Sequence, residues 1–400
     1  MMHLADRTSW RERIFAALLA LLAVTALFVR SDLLEPGHPD FELPRDHHKY
    51  IHMAEGDILD FHLAPFCWRV GVPLLVKVLP FSTRMGFLTI ALVSLWATGI
   101  LLYFSARRFG FSPRLSATGT LLFYSLGWAA KFNLIHFWLS DAATLAMVGA
   151  LILLVQQRRM VLVVLVLALG VLVKESLIFA APLLYTLRAR RLWDAPLLAQ
   201  SILCTLPAVA LLVLLRMIIP AGNSDVAYLA TLPEQLSVVH SGVANFDLGY
   251  LWREFGLQRL TAPTLLNLKE MSIWSWGPLV LLIPFFVLRR PREIFIRFTP
   301  FLLLAYAQLL LASNSQRLVV LASAAVILPG LAVLREWGTW LRAGESCWMI
   351  LAAGLVALNL LNPVTAAAPF PIQLTYFLMF VVTLGIGRRF RAFDPERGTC

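Results

Sequence analysis

Charge is scarce in this chain, and acidic charge scarcer still. Only 14% of its 400 residues are charged, with 23 Asp and Glu against 34 Lys and Arg. A water-soluble globule carries about a quarter charged residues, so that class is excluded. Cysteine is sparse as well: Cys67, Cys204, Cys347 and Cys400 show no CxxC spacing, which argues against a disulfide framework and a zinc site alike. No internal repeat or low-complexity tract is visible, so the signature of an inverted-repeat transporter is missing. The first apolar run, in "RERIFAALLALLAVTALFVRSD", lacks a clean small-x-small cleavage site. It reads as an uncleaved first span, roughly residues 13 to 30.

What the chain has in quantity is apolar sequence: 59% of residues are hydrophobic and the mean hydropathy is +0.76. Together these imply a polytopic membrane protein. The formal net charge of +11 does not point to nucleic acid, because the basic residues fall in short clusters between apolar runs. There they set topology and meet anionic lipid headgroups. The clusters are Arg7/Arg11/Arg13, Arg107/Arg108/Arg114, Arg158/Arg159, Arg188/Arg190/Arg191, Arg289/Arg290/Arg292, Arg335/Arg342 and Arg388/Arg389/Arg391. All can be cytoplasmic only if an even number of crossings separates each neighbouring pair.

That condition acts on the run from Met160 to Leu187, which carries "GVLVKESLIF" at its middle. The run must enter and return. Two legs of about 13 residues reach only about 20 Å each, short of a roughly 30 Å hydrocarbon core. Lys174 and Glu175 are then expected at a hairpin tip near the outer headgroups, facing protein or water rather than lipid. Further spans are expected at about 85–105, 115–130, 141–156, 194–219, 273–288, 296–313, 318–334, 347–362 and 371–387. The expected fold is all-α, with about 12 transmembrane helices, two of them short, and both termini cytoplasmic.

Two external segments are too long for simple turns: residues 31–84 and residues 221–272. The first holds five of the eight histidines and eight acidic residues. After Pro44, "RDHHKYIHMAEG" reads as a short amphipathic helix, with Asp46 near its positive N-terminal end and Tyr50 one turn on along the same face. "PFCWRVGVPLLVKVL" follows, apolar but with Arg69 and Lys77, and suits an interfacial position. His48 and His52 have the i, i+4 spacing of a helical metal pair, with Glu55 a turn further on; no third ligand is fixed by spacing. Elsewhere polar groups gather at span ends: Asp141 in "NLIHFWLSDAATLAM", and Arg317 in "SNSQRLVVLASAAVILPG".

Taken together these features resemble the GT-C superfamily of membrane glycosyltransferases, which includes protein O-mannosyltransferases, aminoarabinose transferases and oligosaccharyltransferases. The resemblance rests on a single span followed by a long external loop with an early aspartate ("DHHKY"), then "MAEG", "PFCWRVGVPLL", Asp141 at a span start and "LVKES" in a short hairpin. Residues 1–220 carry it, and beyond them "SQRLVVL" is similar to the arginine-bearing late loop of the family. It implies a catalytic transmembrane module over 1–220, a second large external loop over 221–272 and a C-terminal transmembrane module over 273–400. It also implies transfer of a sugar from a polyprenyl-phosphate donor to a glycan, lipid or protein acceptor at the external face of a bacterial plasma (inner) membrane. The loop aspartate, as catalytic base, corresponds best to Asp46, with Asp40 in "HPDFEL" as rival. No clear DxD pair accompanies it, so a divalent metal is left open, with His48 and His52 as weak candidates, and no cofactor is firmly implied.

The chemistry selects the remaining candidates. Breaking an anomeric bond to phosphate requires a base on the acceptor hydroxyl and cations for the charge developing on the leaving phosphate. Lys174, Arg69 and Arg317 are the cations expected at headgroup depth, with Glu175, Asp141 and Tyr50 orienting them or contacting the sugar. A transporter or lipid-linked-sugar flippase is the main alternative. A polysaccharide ligase or polymerase of different fold is another, relying on His240, Asp247, Arg253 and Arg259 in the second large loop.

Overall fold

The computed structural model describes residues 9–191, 193–223, 225–237, 262–310 and 315–392. Every regular element among them is helical. The long first helix α1 (Trp10–Val29) starts where the Ser9 side chain accepts the Glu12 N–H. The segment over residues 31–84 then folds into α2 (Asp46–Glu55), a 3₁₀ turn over Phe66–Trp68, and α3 (Gly71–Val78). Next come α4 (Thr83–Arg108), capped by Ser82, and α5 (Pro113–Ser125), capped by Ser112 with Pro113 opening its first turn. In each case the cap satisfies a backbone donor that the helix itself cannot reach.

Three short or medium helices follow: α6 (Lys131–Ile135), α7 (Asp141–Gln156) and α8 (Met160–Val173). After a 3₁₀ stretch over Glu175–Ala180 come α9 (Leu183–Thr186) and α10 (Ala195–Ile218), the latter capped by Asp194. The segment over residues 221–272 contributes α11 (Val226–Thr231) and α12 (Glu234–Ser237). His240, Asp247, Arg253 and Arg259 lie outside the described residues. The C-terminal part holds α13 (Ala262–Trp276), running into a 3₁₀ stretch over Gly277–Val287, then α14 (Arg289–Ala307), α15 (Ser315–Val319), α16 (Ser323–Leu341), α17 (Glu345–Leu360) and α18 (Phe370–Ala392).

Among the described residues, six stretches are long and apolar enough to cross a membrane: Trp10–Val29, Thr83–Arg108, Ala195–Ile218, Leu268–Val287, Gln316–Leu341 and Phe370–Gly387. The other expected crossings fall on shorter or more charged helices, among them Asp141–Gln156, Met160–Val173 and Glu345–Leu360. The protein is thus all-helical with the character of an integral membrane protein. Its outer surface agrees: α10 leaves Leu203, Leu206, Val213 and Met217 exposed, and α18 leaves Met379 and Val382 exposed. Such a surface is stable against lipid and costly in water.

The expected hairpin is present, with an unequal second leg. α8 ends at Val173, Lys174 is extended (φ −161°, ψ 125°), and the return leg is 3₁₀ before its single turn of α-helix. The legs touch closely at Gly170, where a Cβ would meet Leu177 Cδ2 at 1.8 Å. A larger residue there would require the Leu177 side chain to move aside. One apolar core runs from Ala20 in α1 to Phe377 in α18, so residues 1–220 and 273–392 share it.

Candidate functional site

The site is assembled on the inward stripe of α2. Asp46, Lys49, Tyr50 and Met53 recur at helical spacing, and Lys49, Tyr50 and Met53 are fully buried. Asp46 occupies the first turn, where the helix dipole favours its charge. The far end of α2 is held by Lys77 of α3, whose Nζ donates to the Gly56 carbonyl at 2.5 Å.

Arg317 is the central group. Its guanidinium donates to Asp46 Oδ2 at 2.7 Å and to Asp141 Oδ2 at 2.8 Å, joining residues 271 and 176 positions apart in sequence. Asp141, the first residue of α7, also accepts from Lys174 Nζ at 2.5 Å. Because Lys174 stands where α8 breaks, its side chain reaches the N-terminal end of the neighbouring helix. Glu175, next in the chain, pairs instead with Arg69. The Arg69 Nε donates at 2.8 Å and the Nη2 donates to the other carboxylate oxygen, a bidentate fork. Arg69 Nη1 donates to Tyr50 OH at 3.3 Å, and that hydroxyl lies 3.1 Å from Ser140 Oγ.

These contacts form two buried chains, Lys49–Asp46–Arg317–Asp141–Lys174 and Glu175–Arg69–Tyr50–Ser140, joined into one network through the neighbouring positions 174–175 and 140–141. Arg317, Asp141, Lys174 and Arg69 are each less than 10% exposed. Buried charges persist only when paired, and here four cations face three carboxylates. The imbalance has a location. Lys49 Nζ lies 3.8 Å from Asp46 Oδ1 and 4.6 Å over the Phe66 ring, yet it makes no hydrogen bond among the described residues. Arg317 Nε is likewise without a partner. Beside Asp141, Lys174 and Arg317 a cavity of about 10 Å³, on the scale of one water, is lined by Asn133 and Ser176. Asn133 Oδ1 and Ser176 Oγ are both unpartnered.

The electrostatics of α2 follow from this crowd. Burial pushes the Asp46 carboxyl up, but the charges of Arg317 and Lys49 outweigh it and hold the group at about 2. Burial lowers His47 to about 4 and His136 to about 3, aided by His48 and Arg317 respectively, so both imidazoles are neutral at pH 7. Neither His47 nor His136 therefore adds positive charge to the site at pH 7.

All seven residues singled out from sequence for catalysis and donor binding (Asp46, Tyr50, Arg69, Asp141, Lys174, Glu175 and Arg317) are in this network. Asp40 is not: it pairs with Arg45 at 2.9 Å in a half-exposed position. His48 and His52 do not converge with Glu55 on a metal set. His48 Nε2 bonds the Phe41 carbonyl at 2.7 Å, His52 packs on Phe61, and no group of three His, Cys, Asp or Glu side chains suited to a metal forms among the described residues. Sequence reasoning missed Lys49, Ser140 and Phe66. Lys49 was detectable, since it completes the 46–50–53 stripe, and its full burial follows from that face. No protein-family model, no curated protein and no solved structure matches this chain.

Proposed function

We propose that this protein is an inverting glycosyltransferase of GT-C-like architecture that moves a sugar from a polyprenyl-phosphate donor to an acceptor at the external face of a bacterial plasma membrane. On this reading about twelve helical crossings place both termini in the cytoplasm and the buried network at the outer headgroup level. The observation that carries the proposal is the network's composition: a carboxylate on a loop helix paired with Arg317 and Lys49, in a network of four buried cations of which two retain unpaired donors. Such a cluster is complementary to a phosphate.

The reaction assigns each group a task. Asp46 takes the proton of the acceptor hydroxyl as that oxygen bonds to the anomeric carbon. The bond from the anomeric carbon to the donor's phosphate oxygen breaks, and polyprenyl phosphate leaves with the electron pair. Arg317, Lys49 and Lys174 stabilise the charge arriving on that phosphate, while Arg69 and Glu175 hold Tyr50 and the hairpin tip in place. With its carboxyl near pH 2, Asp46 is a weak base as it stands. A donor phosphate that draws Arg317 and Lys49 toward itself removes the two charges that depress Asp46, so the base strengthens when substrate is bound.

The test is to incubate the purified protein in nanodiscs with a panel of polyprenyl-phosphate sugars from its host and follow donor consumption and donor binding. Consumption by the wild type, with binding retained but turnover lost in Asp46→Asn, supports the proposal. Full turnover by Asp46→Asn contradicts the assignment of the base. Absence of donor binding in both proteins favours a transport reading.

A further inference from the structure

At the opposite ends of α7 and α8 lies a second basic feature that the transfer reaction does not use. α7 is 16 residues long, so it separates this feature from Asp141 by about 24 Å. A cavity of about 590 Å³ is lined there by Arg158, Arg188, Arg190, Arg191, Trp193 and Asp194 at the start of α10. Four guanidiniums thus face one carboxylate, and that carboxylate is engaged: Asp194 Oδ1 accepts the Leu197 N–H at 3.1 Å as the cap of α10. None of the four arginines forms an ion pair among the described residues. Arg188 is held by Gln200 and by the Met160 sulfur, both uncharged.

Two further observations bear on what fits. Arg158 adopts φ 60° in the tight link between α7 and α8, a conformation that suits glycine and is uncommon for a long side chain. An arginine occupies this position in spite of that cost. Trp193 is 72% exposed beside the cavity, and exposed tryptophan at the end of an apolar helix is characteristic of the headgroup layer. Basic pockets between helices at that depth select phosphate-bearing lipid headgroups.

We propose that this cavity binds an anionic lipid headgroup carrying two phosphates, in the leaflet facing the arginine clusters. Two phosphodiesters offset two of the three positive charges by which the guanidiniums exceed the carboxylate, and each is satisfied by the bidentate fork that arginine offers. The lipid braces the junction of α7, α8 and α10, and so holds the other ends of α7 and α8, where Asp141 and Lys174 meet.

The experiment uses the full chain in detergent, titrated with cardiolipin, phosphatidylglycerol and inorganic pyrophosphate and read by native mass spectrometry. Arg190→Gln/Arg191→Gln removes two exposed charges from the cavity. Arg289→Gln/Arg292→Gln removes two exposed charges from α14, which approaches the same end of the bundle through the Arg297 bond to the Leu187 carbonyl. Cardiolipin is expected to bind at least tenfold more tightly than phosphatidylglycerol. The first variant abolishes that preference, and the second leaves it intact. Equal losses in both variants would reduce the effect to general surface attraction and overturn the proposal. So would displacement of cardiolipin by equimolar pyrophosphate, which would identify a soluble anion as the ligand, or a failure to distinguish the two lipids.

Discussion

The two basic clusters of this protein differ in how their charge is balanced. At the Asp46–Asp141 end, four cations are buried and nearly matched by three carboxylates, through bonds of 2.5–2.8 Å at Arg317 and Lys174. At the Trp193 end, Arg190 and Arg191 are exposed and lack paired carboxylates. The contrast shows what burial demands. Water can balance an open guanidinium, so its isolation costs little, whereas a buried cation without a counter-charge is expensive. The one cation in excess at the buried end is therefore more informative than several at the open end, and it marks where an anion would be most strongly held.

The comparison can be broken most severely at the base. Asp46→Asn keeps the shape of α2 and removes the proposed proton acceptor, so turnover, measured by donor consumption, should fall about 10²–10⁴-fold while donor binding persists. Next comes Asp141→Asn, which strips Lys174 of its carboxylate partner and Arg317 of one of its two. Breaking a buried pair costs about 3–5 kcal/mol, and thermal unfolding in detergent should register a loss of that size. The matching change at the open end, Arg190→Gln/Arg191→Gln, should stay within about 0.5 kcal/mol of wild type. If the two ends lost equal stability, the distinction between buried pairing and open charge would fail.

A smaller effect concerns acid. The folded carboxyl of Asp46 sits at about 2, below its ordinary 3.8. Its ion pair therefore stabilises the fold fully above about pH 4 and loses that contribution as pH falls through 2. Hydrogen exchange in α2 should accelerate across this window in the wild type, and Asp46→Asn should remove that part of the acid dependence. Smallest of all is the histidine pair: His48→Ala/His52→Ala should leave turnover within about threefold, and added chelator should not alter that comparison, if neither imidazole holds a catalytic metal.

Much of the site was legible because its residues break local expectation. A lysine and a glutamate inside "GVLVKESLIF", an aspartate opening an apolar helix, and a lone arginine before "LVVLASAAVIL" each carry a desolvation cost that implies a partner. Which partner was not legible. Sequence reasoning allowed Glu175 or Asp141 to hold Lys174, and the packing of α7 beside α8 selects Asp141, leaving Glu175 to Arg69. Lys49 escaped because "DHHKY" has the polarity of a solvated loop, and only docking of α2 onto Phe66 buries it. The hairpin was inferred from arginine clusters flanking the run, but its return leg became 3₁₀ rather than a second α-helix, with Pro182 among its residues. The number of crossings was the least legible feature, since several helices are shorter than the span that an apolar run suggests.

The most direct measurement is the affinity of polyprenyl phosphate for the wild type and for Lys49→Met, together with the thermal stability of both. Lys49 is buried, close to Asp46, and without a hydrogen bond among the described residues. If the network is built for a phosphate, Lys49→Met should weaken binding at least tenfold while stability is unchanged or raised, because an unsatisfied buried amine has been replaced by an apolar side chain. Unchanged affinity with a clear loss of stability would contradict the account and identify the network as a structural brace.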